Sequence, residues 1–251
     1  MGTVVSIDVR TDVAATRVRA GLEAAVRCLH EVDATFSPYL PGSVVSRVGR
    51  GELSLAACPP DVREVAERCV AAERVTGGSF SASYRGGGTW DPTGLVKGWA
   101  AERVSRLLHA EGLGRHCVNA AGDVRLGDPP DPERPWRVGI TDPRDAQRLL
   151  TTVSGSAMAV ATSGTVERGP HVLDPGTGEP PTGLLQVTVV GPDLTEADAY
   201  ATAVLAAGGD GVALAGRLAV GGWQALLVRA DGSVCCTRGW QSDRTVEDVV
   251  A

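Results

Sequence analysis

Apolar residues change their period along the chain, and each change marks an element. Val4 to Val9 alternates apolar and polar positions and predicts a strand. Val13 to Val32 carries apolar residues at helical spacing behind the polar pair Thr11-Asp12, so a long helix should follow that strand directly. A Pro/Gly/Ser-rich loop covers Phe36 to Ser43, and Pro60 to Val75 reads as a second helix closed by Gly77-Gly78. Gly86 to Gly94 is glycine-rich and turn-like, and it delivers the chain into a third helix at about Gly98 to Ala110. Beyond Gly114 the texture becomes short β-rich runs: Cys117 to Leu126, Trp136 to Ile140, Leu149 to Val153, Ala157 to Thr162, His171 to Leu173 and Leu184 to Val190. Helical texture returns at Thr195 to Ala207 and Gly211 to Leu218, and Trp223 to Val228 with Ser233 to Thr237 reads as a closing hairpin around Asp231-Gly232. Strands with helices interspersed irregularly predict an α+β fold of mixed or antiparallel sheets with packed helices, not a doubly wound parallel sheet. With no short-period repeat and no low-complexity tail, residues 1–251 read as one domain.

At 43% hydrophobic the chain can bury one sizeable core. Its 24 Lys+Arg against 30 Asp+Glu give a formal net charge of −6, which argues against a sequence-independent grip on nucleic acid or an anionic membrane. No apolar run is long enough to span a bilayer, and the N-terminus shows no basic region followed by an apolar stretch and a cleavage site, so the expected location is the cytoplasm. The six cysteines lack C-x-x-C spacing and two are adjacent, a pattern that suits reduced core thiols better than disulfides or a zinc site. Lys97 is the single lysine in an arginine-rich sequence; a lysine retained against that bias suggests a place for a compact ammonium on a flexible stem.

Four polar stretches can carry chemistry, and each has a plain structural alternative. Asp91 to Ala100 joins a turn to a helix start, where free amides can hold a phosphate, yet Gly94 and Gly98 flank Lys97 with the wrong spacing for a Walker loop. Asn119-Ala120-Ala121-Gly122-Asp123 offers small residues that let a backbone approach a ligand, or simply a tight turn. Around Ala161-Thr162-Ser163-Gly164, His171 precedes the carboxylate of Asp174 by three residues; it is a candidate base or a structural histidine. Asp198 and Thr202 lie four apart in a helix and share a face, so their oxygens suit a hard cation such as Mg2+; Thr195 and Asp198 also have capping-box spacing.

Taken together and in order, these motifs resemble the ApbE family of FAD:protein FMN transferases. The likeness runs from Met1-Gly2-Thr3 through Phe36-Ser37-x-Tyr39, Gly94-x-x-Lys97-Gly98-Trp99-Ala100, Asn119-x-x-Gly122-Asp123, Val138-Gly139-Ile140-x-Asp142-Pro143, Ala161-Thr162-Ser163-Gly164, Glu167-Arg168, His171-x-x-Asp174-Pro175-x-Thr177-Gly178 and Asp198-Ala199-x-Ala201-Thr202. Trp99 stands where relatives often carry Tyr, Glu102 where they carry Asp, and Thr165-Val166 where they carry Asp-Tyr. The resemblance implies a T-fold-related α+β architecture with FAD as substrate in a cleft. It implies that Asp198, Thr202 and the Gly94 carbonyl hold Mg2+, and that Tyr39, Gly94, Lys97, Asn119, Gly122, Asp123, Thr162, Ser163 and Gly164 belong to the flavin-nucleotide site. It makes His171 the base beside Asp174, and the partner an acceptor protein with an Asp-x-x-Ser/Thr-Gly-Ala-Ser/Thr motif. Water in place of that hydroxyl would make the chain an FAD pyrophosphatase, and loss of catalysis would leave a flavin-binding protein. No complete acceptor motif occurs here; Ser154-Gly155-Ser156-Ala157 is only a distant echo.

Overall fold

The computed structural model describes residues 3–84, 89–131, 133–165, 172–242 and, as backbone alone, 248–250. Strand β1 (Val5–Val9) leads into helices α1 (Ala15–Phe36), α2 (Val44–Gly49), α3 (Pro60–Thr76) and α4 (Thr93–Ala110). Two hairpins follow, β2 (His116–Ala120) with β3 (Asp123–Leu126) and β4 (Trp136–Asp142) with β5 (Asp145–Gly155). Then come β6 (Ala159–Gly164), β7 (Leu184–Gly191), α5 (Leu194–Ala206), α6 (Gly211–Val220), β8 (Gln224–Arg229), β9 (Val234–Thr237) and β10 (Asp248–Val250).

Where the elements differ from expectation, local chemistry gives the reason. Helix α4 starts at Thr93, not near Gly98, because the Asp91 carboxylate accepts the Thr93 N–H at 3.1 Å and its hydroxyl at 2.6 Å, while the Pro92 carbonyl accepts the amides of Leu95 and Val96. Gly94 and Lys97 therefore ride on the first turns of a helix. Helix α2 was hidden by its β-branched valines; Ser43 starts it by accepting the Ser46 N–H at 3.1 Å. The run from Cys117 to Leu126 folds back on itself at Ala121-Gly122, whose φ values of 50° and 96° are those a tight hairpin turn needs. Val172 and Leu173 carry no strand, and the remainder of that expected run, His171, lies outside the described residues.

Eight strands form one sheet in the order β1-β2-β3-β6-β7-β8-β9-β10, antiparallel at every pairing except the parallel β9 and β10. Period-two alternation gives the sheet two buried faces. Ala159, Ala161, Val187, Val189, Ala225, Leu227 and Cys235 join the large core shared with the helices. Val160, Val190, Leu226 and Cys236 point the other way, onto Ile140 and Val153 of the separate β4–β5 hairpin. The adjacent Cys235 and Cys236 thus face opposite cores, and all six cysteines are thiols, as expected. Burial pushes the Cys69 thiol up to about 12 and that of Cys117 to about 11, so neither is a ready nucleophile.

Helices α4 and α5 pack closely where they cross, and Gly98 makes that approach fit. A Cβ there would fall 2.8 Å from the Cβ of Asp198 and would overlap the Leu194 carbonyl. Helix propensity alone favours alanine over glycine by up to about 1 kcal/mol, whereas overpacking a tight contact costs about 1–3 kcal/mol. Gly98→Ala should therefore lose stability in urea unfolding, and a gain would show that the crossing is loose.

Candidate functional site

Helix α5 carries Asp198 and Thr202, and its start is secured without either. Asp193 accepts the amides of Thr195 at 2.8 Å and Glu196 at 3.3 Å, so the cap is Asp193, five residues before Asp198. Asp198, 3% exposed, instead reaches across the helix crossing: its Oδ2 accepts the Gly98 N–H at 2.9 Å. In a regular helix the acceptor of that N–H is the carbonyl of Gly94.

Charge is concentrated at this crossing. Lys97 Nζ lies 3.3 Å from Asp198 Oδ1 and contacts Asp123 Oδ2. The other oxygen of Asp123 accepts the Thr162 N–H at 2.9 Å, and Asp123 itself is fully buried. Two buried carboxylates thus share one ammonium, and that ammonium belongs to the single lysine of the chain. One turn along α5, the Thr202 hydroxyl lies 3.3 Å from the Ser163 hydroxyl at the end of β6. A Cβ on Gly94 would meet the Thr202 Cγ2 at 3.5 Å, which places the first turn of α4 directly against Thr202.

These groups open on a cleft of about 990 Å3. Tyr39, Gly94, Lys97, Gly122, Thr162, Ser163, Gly164, Asp198 and Thr202 all line it. Tyr39 is 83% exposed, so a broad aromatic surface stands at the rim with its area uncovered. Three expected site residues are placed differently. Asn119 Oδ1 accepts the Gly122 N–H at 2.8 Å and so shapes the β2–β3 turn. Asp123 lies behind Lys97. Asp174 accepts the Gly176 N–H at 2.9 Å and the Thr177 hydroxyl at 3.2 Å, closing its own turn. His171, the expected base, lies outside the described residues, as do Glu167 and Arg168; Val172 and Leu173, which follow His171, line the cleft.

Other cleft residues had no role of their own in the sequence reading, although Asp91 and Asp142 fall in its motifs. Asp91 both starts α4 and accepts the Tyr84 hydroxyl at 3.0 Å, fixing two groups of the cleft wall. The tip of the β4–β5 hairpin closes one side. It is pinned where Gln186 Nε2 donates to the Thr141 carbonyl at 3.1 Å and where Arg144 donates to the Gly232 carbonyl at 3.0 Å. Arg144 also grips Asp142 through Nε at 2.9 Å, and this guanidinium contact holds the Asp142 carboxyl below the usual carboxylate range. Such long-range ties have no local sequence signature. Trp99, by contrast, faces away from the cleft: it is 1% exposed and donates its indole N–H to Glu64 at 3.1 Å, so its departure from the usual Tyr falls in the core.

In sequence, a stretch of 128 residues is 32% identical to an FAD:protein FMN transferase of Klebsiella pneumoniae, covering 47% of this chain and 37% of that protein. A 152-residue stretch is 33% identical to one from Rhodobacter capsulatus, covering 57% and 28%. The matched stretches therefore span well under half the length of these relatives. In structure, the ApbE protein of Thermotoga maritima superposes with a TM-score of 0.83 at 24% identity, over 93% of each chain. The flavin transferase ApbE of Vibrio cholerae gives 0.80 at 22% identity, over 94% of this chain and 93% of that one. Both likenesses show a shared fold. The model of the ApbE family matches residues 1–90 and 85–227, which is most of the sequence, and the chain belongs to that family.

Proposed function

We propose that the chain takes FAD as substrate and transfers its FMN half to a Ser or Thr hydroxyl of an acceptor protein, with release of AMP and with Mg2+ at the Asp198 site. The observation that carries this reading is the placement of Asp198 and Thr202 beside Lys97 and Gly94 in the wall of one large cleft. The donor set fits a hard cation: a carboxylate, hydroxyls and a backbone carbonyl supply oxygen alone. It is also sparse, since no group of three or more His, Cys, Asp or Glu suited to a metal occurs among the described residues. One protein carboxylate suits Mg2+ that is shared with substrate phosphates rather than caged by the protein.

Asp198, Thr202 and the Gly94 carbonyl would hold the ion, and the turn of Gly98 N–H toward Asp198 favours the Gly94 carbonyl for that use. Bound there, Mg2+ would neutralise charge on the pyrophosphate and on the departing AMP. Lys97, partly exposed to the cleft, can offer its ammonium to a phosphate oxygen while still facing Asp123. Tyr39 can cover a flavin ring at the rim. In the transfer itself the acceptor hydroxyl oxygen attacks the FMN phosphorus, the bond to AMP breaks, and His171 takes the hydroxyl proton. The names of the family relatives support FAD and a protein as substrates, and a Ser or Thr hydroxyl in an Asp-x-x-Ser/Thr-Gly-Ala-Ser/Thr motif is the proposed target. No described helix is long and apolar enough to cross a membrane.

Incubation with FAD, Mg2+ and a protein bearing the acceptor motif, followed by intact mass, should show an FMN-sized adduct on the acceptor. Free FMN and AMP without adduct would make the chain a pyrophosphatase, and unchanged FAD would make it a flavin binder.

Asp198→Asn removes the charge proposed for the ion while keeping a side-chain acceptor for Gly98. Activity should collapse or need far more Mg2+, and Thr202→Val should give a milder version of the same shift. Superimposable curves of rate against Mg2+ for wild type and Asp198→Asn would remove Asp198 from the site.

A general base contributes on the order of a hundred- to ten-thousand-fold in rate. His171→Ala should lose a factor of that order while FAD affinity, read by flavin fluorescence, stays near normal. An undiminished transfer rate would make His171 structural.

A further inference from the structure

The charged crossing at the cleft has a counterpart one turn deeper. Glu102 is 4% exposed and follows Gly98 by four residues on α4. Its Oε2 accepts the N–H of Leu194, the first residue of α5, at 2.9 Å. Arg125 Nε lies 2.8 Å from the same oxygen, an ion pair whose N–H is not aligned for a hydrogen bond, and its Nη1 donates to the Leu126 carbonyl at 2.9 Å. Leu194 precedes Asp198 by four residues on α5, and Arg125 follows Asp123 by two on β3. Four along a helix and two along a strand each return to the same face. The same faces of α4, α5 and β3 are therefore joined twice. At the cleft the join runs through Gly98, Lys97, Asp198 and Asp123; below it runs through Glu102, Leu194 and Arg125.

We propose that Glu102, paired with Arg125, is a positioning residue that sets where α5 presents Asp198 and Thr202 to the cation. The close approach at Gly98 fixes how near the two helices come, and packing against α4, β6 and β7 buries α5 along its length, while the first residues of α5 still need a tie that fixes their register on α4. Glu102 supplies that tie by accepting the first amide of α5, which no residue within the helix can satisfy. Without its carboxylate, the buried Leu194 amide would lose its acceptor, and a guanidinium whose side chain is 15% exposed would keep the Leu126 carbonyl but lose this ion pair. The end of α5 nearest Asp198 would then have to shift to find others. Groups that orient metal-binding residues from behind typically change metal affinity about 10- to 100-fold when removed.

This inference rests on the cation site proposed above, so the test separates the two. Mn2+ is titrated into the protein with FAD present, free Mn2+ is read by electron paramagnetic resonance, and each variant is kept well below its own Tm. Glu102→Ala and Arg125→Met should weaken Mn2+ binding by about 10-fold or more. Glu102→Gln keeps an oxygen for the Leu194 N–H but faces Arg125 without charge, and should fall between them and wild type. Flavin fluorescence should show FAD still bound in all three. If Glu102→Ala fails to fold, the other two variants carry the test. Wild-type Mn2+ affinity in the variants, whatever their Tm, would overturn the positioning role and leave the cation site intact. No Mn2+ binding by the wild type would overturn the cation site and this role with it.

Discussion

The contact between α4 and α5 at Gly98 governs the rest of the site. Only a residue without a side chain lets the two helices come this close. Closeness lets the short carboxylate of Asp198 bridge from one helix to the backbone of the other. That bridge occupies the N–H of Gly98, and the helix start it belongs to presents Gly94 beside Thr202. Helix-start backbone, hydroxyl and carboxylate thus converge because of one packing contact.

Electrostatics then decide what the crossing suits. Asp123 and Asp198 face one Lys97, so the buried set carries more negative than positive charge. Buried carboxylates are costly unless paired, and this pair shares the single lysine of the chain. A divalent cation beside Asp198 would take these three groups from one net negative charge to one net positive charge and bring with it an affinity for phosphate. The two-faced sheet supplies the frame. One face supports the helices that carry these charges, and the other supports the β4–β5 hairpin whose tip closes the cleft.

Much of this was legible in the sequence because it is local or periodic. Apolar alternation located most strands of the large sheet, and helical spacing located α1, α3, α5 and α6 to within a few residues. The four-residue spacing of Asp198 and Thr202 and the isolation of Lys97 both pointed at the cleft. What stayed hidden is side-chain capping that the local texture obscures and contact between residues far apart in the chain. The start of α4 is set by the side chain of Asp91, a capping effect that a glycine-rich texture obscures. The Asn119 side chain serves its own turn, as the plain reading of its stretch allowed, and Asp174 closes a turn that the sequence reading did not single out. Glu102 and Leu194 stand 92 positions apart, and nothing near either residue announces the other.

The most direct measurement is the anomalous signal of Mn2+ in crystals of the protein grown with FAD. The proposed site predicts one strong peak in contact with Asp198, Thr202 and the Gly94 carbonyl, and also with the substrate phosphates. A peak elsewhere in the cleft, or FAD bound with Lys97 still seated on Asp198 and no peak, would contradict it.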